Sequence, residues 1–376
     1  MNVLQVIPEL DAGGAERTTL EIAEAVVAAG GRALVASEGG RLEGELDAIG
    51  ADLVRLPVKS KNPLTIWRNA GRLADLVRRE RVDIIHARSR APAWSALLAA
   101  RRTGAVFVTT YHGTYNARSE LKRRYNAVMA RGAVTIANSA FIADHVAREH
   151  PGLARRIEII PRGVDLGPFD PERVEPARAN AHREGWQVPV GAPVILLPAR
   201  LTRWKGQLLA IEAVSRLAPR DPAPVLVLAG DAQGRDAYVR EIEARAKELG
   251  VAIRLPGHVG DMPGALMAAD LVLAPSLEPE AFGRSAAEAQ AMGRPVIVAD
   301  HGGAREVVEH GVTGWRVPPG DAGALAAAIE TAFSLSPQAR AAMARAARQR
   351  VEAHFSKRAL QENTLRVYRE LLDCRP

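Results

Sequence analysis

Residues 271–299 read LVLAPSLEPEAFGRSAAEAQAMGRPVIVA. Leu271–Pro275 and Val296–Ala299 are short, uniformly apolar runs of strand length. Between them lies a loop with two acids and one proline, then an Ala-rich segment of helical character running to about Met292. Gly293 and Pro295 end that helix, since glycine suits a helix C-cap and proline cannot continue the ladder. The stretch is therefore a strand, a helix and a strand. Strands this apolar belong to a parallel sheet covered on both faces, because an exposed face would demand alternating polar residues.

The same alternation extends outward in both directions. Val194–Pro198, Val225–Ala229 and Ala252–Leu255 complete a strand set for the second half. In the first half Val3–Pro8, Ala33–Ser37, Val82–His86, Val106–Thr110, Val134–Asn138 and Ile157–Pro161 read as strands, with helical spacing between them, as in Ala15–Ala29. Gly163–Pro193 holds five prolines and marks a linker with room for one short helix. Ser356–Leu372 is a final amphipathic helix. The expected fold class is α/β, with two Rossmann-like doubly wound domains in tandem. The expected divisions are 1–170, 171–355 and a terminal segment 356–376. Such domains keep ligand crevices at the carboxyl ends of their strands. Two crevices facing each other would place the ligands in an inter-domain cleft.

Composition agrees with that organisation. At 376 residues, 47% hydrophobic and 25% charged, the chain suits two globular cores without a low-complexity tract. One cysteine, Cys374, excludes a disulfide within the chain. The N-terminus lacks a basic leader, and no run of about twenty apolar residues is present, so a cytoplasmic protein is expected. Net charge is +7, with 24 Lys and Arg against 19 Asp and Glu in residues 1–170. That excess fits either an anionic partner surface or simply solvated helix faces. Nucleic acid is not expected, since aromatics are only 4% and no recognition motif is present.

The unusual residues fall at strand ends. Glu280 lies in the loop after Leu271–Pro275, and Glu288 on the second turn of the helix that follows. Gly283 lets a ligand approach the helix start, where free amides and the dipole favour a diphosphate. Ionised carboxylates are acceptors only and suit the hydroxyls of sugars on either side of it. Arg200 and Lys205 follow the first strand of the second half, at the same sheet edge. Two cations there would neutralise charge on a departing diphosphate. Gly13 and Gly14 follow the first strand of the chain and allow close backbone approach to phosphate or sugar. This is not the G-x-G-x-x-G dinucleotide fingerprint. His112, at the end of Val106–Thr110 and before Gly113, is placed to touch a sugar hydroxyl or the reacting group.

These pieces resemble the retaining glycosyltransferases of family 4, which have the GT-B fold. The resemblance rests on Glu280 and Glu288 as an E-x7-E element, Arg200 with Lys205-Gly206 as R-x4-K-G, and the Gly13-Gly14 loop. It also rests on Gly293–Val298, Gly302-Gly303, Glu306 and Gly311–Gly314. It implies that Arg200 and Lys205 bind the donor diphosphate, Glu288 the ribose and Glu280 the transferred sugar. Backbone at Phe282, Gly283 and Arg284 would contact sugar and phosphate, Gly14 the phosphate, and His112 the sugar near its reacting carbon. The donor would be a UDP- or GDP-sugar serving as co-substrate, with no metal and no other cofactor. The last helix would return to the first domain. One departure stands out: Arg162 occupies a position where the family often has asparagine, which signals either a more acidic ligand or a cation facing solvent.

For the acceptor, Arg118, Lys122, Arg123 and Arg124 gather after His112, and Tyr125, Val128 and Met129 would give the same segment an apolar side. The segment is expected either to rest on an anionic membrane surface or to be an ordinary solvated helix. The expected activity is a hexosyltransferase of lipopolysaccharide or cell-envelope biosynthesis, peripheral on the inner face of the cytoplasmic membrane, with a glycan or glycolipid acceptor. The rival readings are a nucleotide-sugar epimerase of the same fold, a phosphorylase-like enzyme carrying pyridoxal phosphate, and a non-catalytic nucleotide-sugar-binding protein.

Overall fold

A computed structural model describes residues 1–11, 13–115 and 119–374. The chain divides into two compact units, one formed by Met1–Gly163 with Lys357–Pro376 and the other by Val164–Ser356.

The first unit is built on a seven-stranded sheet. Its strands are β1 (Asn2–Val6), β2 (Arg32–Ser37), β3 (Asp52–Arg55), β4 (Ile84–Ala87), β5 (Val106–Tyr111), β6 (Val134–Ala137) and β7 (Ile157–Ile159). They are ordered β3-β2-β1-β4-β5-β6-β7, and every pairing is parallel. Chain order reverses between β1 and β4, so the loops after these two strands diverge and open a crevice. Helices Gly14–Ala28 and Lys357–Asp373 cover one face of this sheet. Leu20, Ala23 and Val26 of the first helix share a core with Leu360, Leu365, Val367 and Tyr368 of the second.

The second unit has six strands: β8 (Val194–Pro198), β9 (Val225–Ala229), β10 (Ile253–Gly257), β11 (Leu271–Ala274), β12 (Val296–Ala299) and β13 (Trp315–Val317). Their order is β10-β9-β8-β11-β12-β13, again wholly parallel, with the reversal between β8 and β11. Successive side chains point to opposite faces. Val194, Leu196, Val225, Val227 and Val272 enter one core, while Ile195, Leu197, Leu226, Leu228, Leu271 and Leu273 enter the other. Both faces are buried, which is why these strands read as unbroken apolar runs.

Two differences from the sequence expectation have physical causes. Two edge strands, β3 and β13, are three or four residues long and mix charged with apolar residues, so they carry little pattern. The expected linker holds the helix Pro176–Gly185, in line with the one short helix the sequence allows there. The division at 170/171 moves to 163/164, because Val164 is a core residue of the second unit and Leu166 and Phe169 pack against that core. Val164 also donates its N–H to the Phe355 carbonyl at 2.7 Å, which fastens the start of this unit to its end.

Candidate functional site

The switch point between β8 and β11 gathers four of the residues singled out in the sequence. The loop after β8 makes a short 3-10 turn, Arg203–Lys205, and ends at Gly206, which opens the helix Gln207–Val214. Gly206 has φ +79, and a Cβ there would strike the Pro275 carbonyl. Glycine thus lets the two strand-end loops touch. The Leu277 N–H donates to the Trp204 carbonyl at 2.7 Å and closes the contact.

Across this junction the Lys205 ammonium lies 2.9 Å from Oε1 of Glu280, with side chains only 15% and 12% exposed. The Ser276 hydroxyl donates to the same Oε1 at 2.5 Å. Lys205 also sits 4.2 Å from the centroid of the Trp204 ring, a cation–π position that limits its rotation. Arg200 is exposed, while its backbone carbonyl accepts from Nε2 of buried Gln207 at 3.0 Å. The guanidinium therefore stands on a fixed backbone with its head in solvent.

The helix Arg284–Ala291 begins at Gly283, whose φ of +98 requires glycine and which provides no side-chain cap. Glu288 lies one turn in, with its side chain 13% exposed, and accepts from Nε of Arg284 at 2.6 Å. Burial holds its carboxyl above the usual glutamate range, opposed by the Arg284 charge. Phe282 is buried and packs edge-on against Phe355, with ring centroids 5.7 Å apart. From the next loop, Gly302 and Gly303 lie flat against the backbone of Glu280, Ala281 and Phe282. The Gly303 N–H donates to the Glu280 carbonyl at 2.7 Å, and His301 Nε2 lies 2.8 Å from the Ser276 carbonyl. Three strand-end loops thus hold one acidic side chain against one basic one, beside the positive end of a helix. A diphosphate flanked by sugar hydroxyls is the kind of ligand such a surface binds.

Comparison with known proteins identifies the family. Residues 179–350 match the model of the glycosyl transferases group 1, and residues 12–167 that of glycosyltransferase family 4. A crystallised glycosyltransferase from Rickettsia africae is 36% identical, covers 100% of this chain and is itself covered to 99%, at a TM-score of 0.91. The chain belongs to glycosyltransferase family 4. Its two units are the paired Rossmann-like domains of the GT-B fold. The Anabaena protein HepE, crystallised with UDP and glucose, is 25% identical over 98% of this chain and 100% of that one, at a TM-score of 0.84. A D-inositol 3-phosphate glycosyltransferase of Xylanimonas cellulosilytica is 33% identical over 62% of this chain and 59% of its own. The chain spans less than two thirds of the length of the first curated relatives it matches.

In the first unit of this family 4 chain, Gly13 and Gly14 stand at the start of the helix Gly14–Ala28, just after β1. A Cβ on Gly14 would collide with the guanidinium of Arg162, so the loop lies directly on that cation. Nη2 of Arg162 is 3.5 Å from Nδ1 of His112, whose Nε2 is buried with no partner among the described residues. Arg162 therefore lies within the unit, beside the Gly-Gly loop. Burial, then the charges of Arg162 and Arg88, drive the His112 pKa well below the ordinary value of 6.5.

Arg88 is a member of this site that sequence inspection missed. It is 2% exposed and bonded to neutral groups, with Nε donating to Gln5 Oε1 at 2.8 Å and Nη1 to Thr110 Oγ1 at 3.3 Å. Burial lowers its pKa to about 10. Behind it, His86 lies 2.6 Å from Thr110 Oγ1 and 2.5 Å from the Tyr368 hydroxyl of the last helix. Arg88 and His86 are at the carboxyl end of β4, so position alone would have flagged them. Ser276 and His301, likewise at strand ends, were open to the same signal.

The basic segment after His112 is placed differently from expectation. Arg118 lies outside the described residues. Lys122, Arg123 and Arg124 are exposed on the short helix Glu120–Asn126, and Arg123 and Arg124 pair with Glu120 at 3.3 and 3.4 Å. The expected apolar side is turned inward, because Val128 and Met129 are fully buried in the unit and cannot face a lipid surface. No helix among the described residues is long and apolar enough to cross a membrane. Nor do the described residues contain a group of three or more His, Cys, Asp or Glu able to hold a metal ion.

Proposed function

We propose that this chain moves a hexose-type sugar from a UDP- or GDP-sugar to a hydroxyl of a lipid-linked, lipopolysaccharide or other envelope glycan acceptor, with retention of anomeric configuration. The observation that carries the reading is the Lys205–Glu280 pair at the switch point, with Glu280 in the loop that leads into the helix Arg284–Ala291 bearing Glu288. The co-crystallised UDP and glucose of HepE support the choice of donor class.

In this reading the diphosphate lies at the start of helix Arg284–Ala291, with Lys205 and Arg200 as counter-charges. Glu280 accepts from hydroxyls of the transferred sugar, and Glu288 exchanges its Arg284 contact for the ribose hydroxyls. Within the first unit, the Gly13-Gly14 loop is assigned to phosphate contact and His112 to sugar contact. The bond between the anomeric carbon and the diphosphate oxygen breaks first, leaving an oxocarbenium-like centre. The acceptor oxygen attacks from the face the diphosphate leaves, and a phosphate oxygen takes the acceptor's proton. The protein contributes orientation and stabilisation of the leaving charge. That stabilisation is assigned to Arg200 and Lys205 without a resident metal or other cofactor.

The test is turnover of a nucleotide-sugar panel, including slow release of nucleoside diphosphate by hydrolysis. Lys205→Ala and Arg200→Ala should each lower turnover by about 10²-fold or more, the scale for removing an electrostatic stabiliser, with melting temperature nearly unchanged for Arg200→Ala. Full turnover in both variants would defeat the assignment. A donor isomerised without acceptor would reassign the chain to epimerisation, and donor binding without any release of diphosphate to a sensor.

A further inference from the structure

A cavity of about 950 Å³ lies in the first unit at its own switch point. Pro8 and Glu9, which follow β1, form one wall, and Ser89 and Arg90, which follow β4, form the next. Its size falls within the range of about 300–1,000 Å³ for small-molecule sites. Five cations line it (Lys59, Lys61, Arg90, Lys122 and Arg124) against the single acid Glu9. Lys59 is neutralised by Glu9 at 2.6 Å, and Arg124 by Glu120 at 3.4 Å. Lys61, Arg90 and Lys122 have no carboxylate within ion-pair distance among the described residues.

Arg90 is held in place. Its Nη1 donates to Asn126 Oδ1 at 3.0 Å, and its guanidinium lies 4.2 Å from the centroid of the Tyr115 ring. A fixed guanidinium with open N–H groups matches two oxygens of a phosphate. Trp94 and Tyr125 form an aromatic wall, their rings 6.4 Å apart and locked by Trp94 Nε1 donating to the Tyr125 carbonyl at 3.2 Å. Aromatic faces of this kind pack on the C–H face of a sugar ring. The Tyr125 hydroxyl in the same wall is buried without a partner among the described residues, a cost that a ligand or water would offset.

We propose that this cavity receives the acceptor as a sugar or polyol headgroup carrying a phosphate ester. The ring lies against Trp94 and Tyr125, and the phosphate among Arg90, Lys61 and Lys122. Leu121, 80% exposed beside Lys122, offers the apolar contact that a lipid-linked version of that headgroup would use. The proposal rests on the transfer reading above and names its acceptor class.

The test compares binding of glucose, glucose 6-phosphate and inorganic phosphate to the full chain by calorimetry at low salt. Glucose 6-phosphate should bind at least about tenfold more tightly than glucose or phosphate alone, the size expected for one good charged contact combined with ring stacking. Lys61→Glu with Lys122→Glu should abolish that margin, and Lys61→Arg with Lys122→Arg should keep it. Flotation with phosphatidylglycerol vesicles separates the two sources: binding lost in Leu121→Asp points to a lipid-linked headgroup, and no flotation to a free phosphate ester. Equal binding of glucose and glucose 6-phosphate, or an undiminished margin in the charge-reversal variant, would overturn the proposal. Nucleoside diphosphate binding, measured separately, tests the transfer reading. Its absence beside a retained margin would leave the pocket standing and the transfer reading refuted.

Discussion

Burial disfavours the ionised form of Glu288, and the Arg284 charge favours it through a 2.6 Å hydrogen bond. The proposed ribose-binding role calls for the ionised acceptor, and the pKa of this group is raised by burial. Nucleotide affinity should therefore fall, as pH is lowered, at a higher pH than an ordinary glutamate would give. Calorimetric titration of UDP or GDP across pH 4–8 checks this, and Glu288→Gln should flatten the profile and cost about tenfold in affinity. The sign for stability is opposite. A pKa raised in the folded state adds stability at low pH that is withdrawn as pH climbs through it. Glu280 differs, since Lys205 and Ser276 both address its Oε1. Both partners follow from folding: Ser276 is four residues away across Pro279, and Lys205 is on another strand's loop. The Arg284–Glu288 pair could have been read directly, because residues four apart on a helix face each other.

At the scale of elements, the site depends on glycines that let loops lie on one another. Gly302 has φ +60, and a Cβ there would come 2.5 Å from the Glu280 carbonyl oxygen and 2.7 Å from its nitrogen. Gly302→Ala should destabilise the protein by about 1–3 kcal/mol, from positive φ and from the displaced loop. Turnover should fall more than stability predicts, because the backbone pushed aside is that of Glu280. Thermal melts and initial rates on the same preparation separate the two effects. The elements themselves were legible wherever both faces of a strand are buried, as in Val225–Ala229, since every residue is then apolar. Asp52–Arg55 escaped notice because it pairs only at the sheet's edge and two of its four residues are exposed and charged. The chain Gln5–Arg88–Thr110–His86–Tyr368 left no local pattern, because its last link joins residues 282 apart in sequence.

Across the whole molecule, buried neutral histidines set the response to acid. His86 and His112 both have pKa values far below 6.5, from burial first and then from the neighbouring charges, Arg88 for His86 and Arg162 for His112. A depressed folded-state pKa means that the unfolded chain binds more protons, so stability rises with pH up to the unfolded value. Urea midpoints should accordingly drop as pH is lowered from about 7 to 5, and His86→Gln should reduce that slope. A slope unchanged by the substitution would place the acid sensitivity elsewhere. The two units share one architectural logic: each reverses strand order once, between β1 and β4 and between β8 and β11. Chemistry-bearing side chains collect at both reversals.

The helix Lys357–Asp373 gives the first unit part of its core and the hydroxyl that holds His86. During synthesis that helix leaves the ribosome after the whole of Val164–Ser356. The N-terminal sheet is thus translated first yet waits, one flank uncovered, until the second unit has had time to fold. In a living cell that interval is when chaperones would find the nascent chain most exposed.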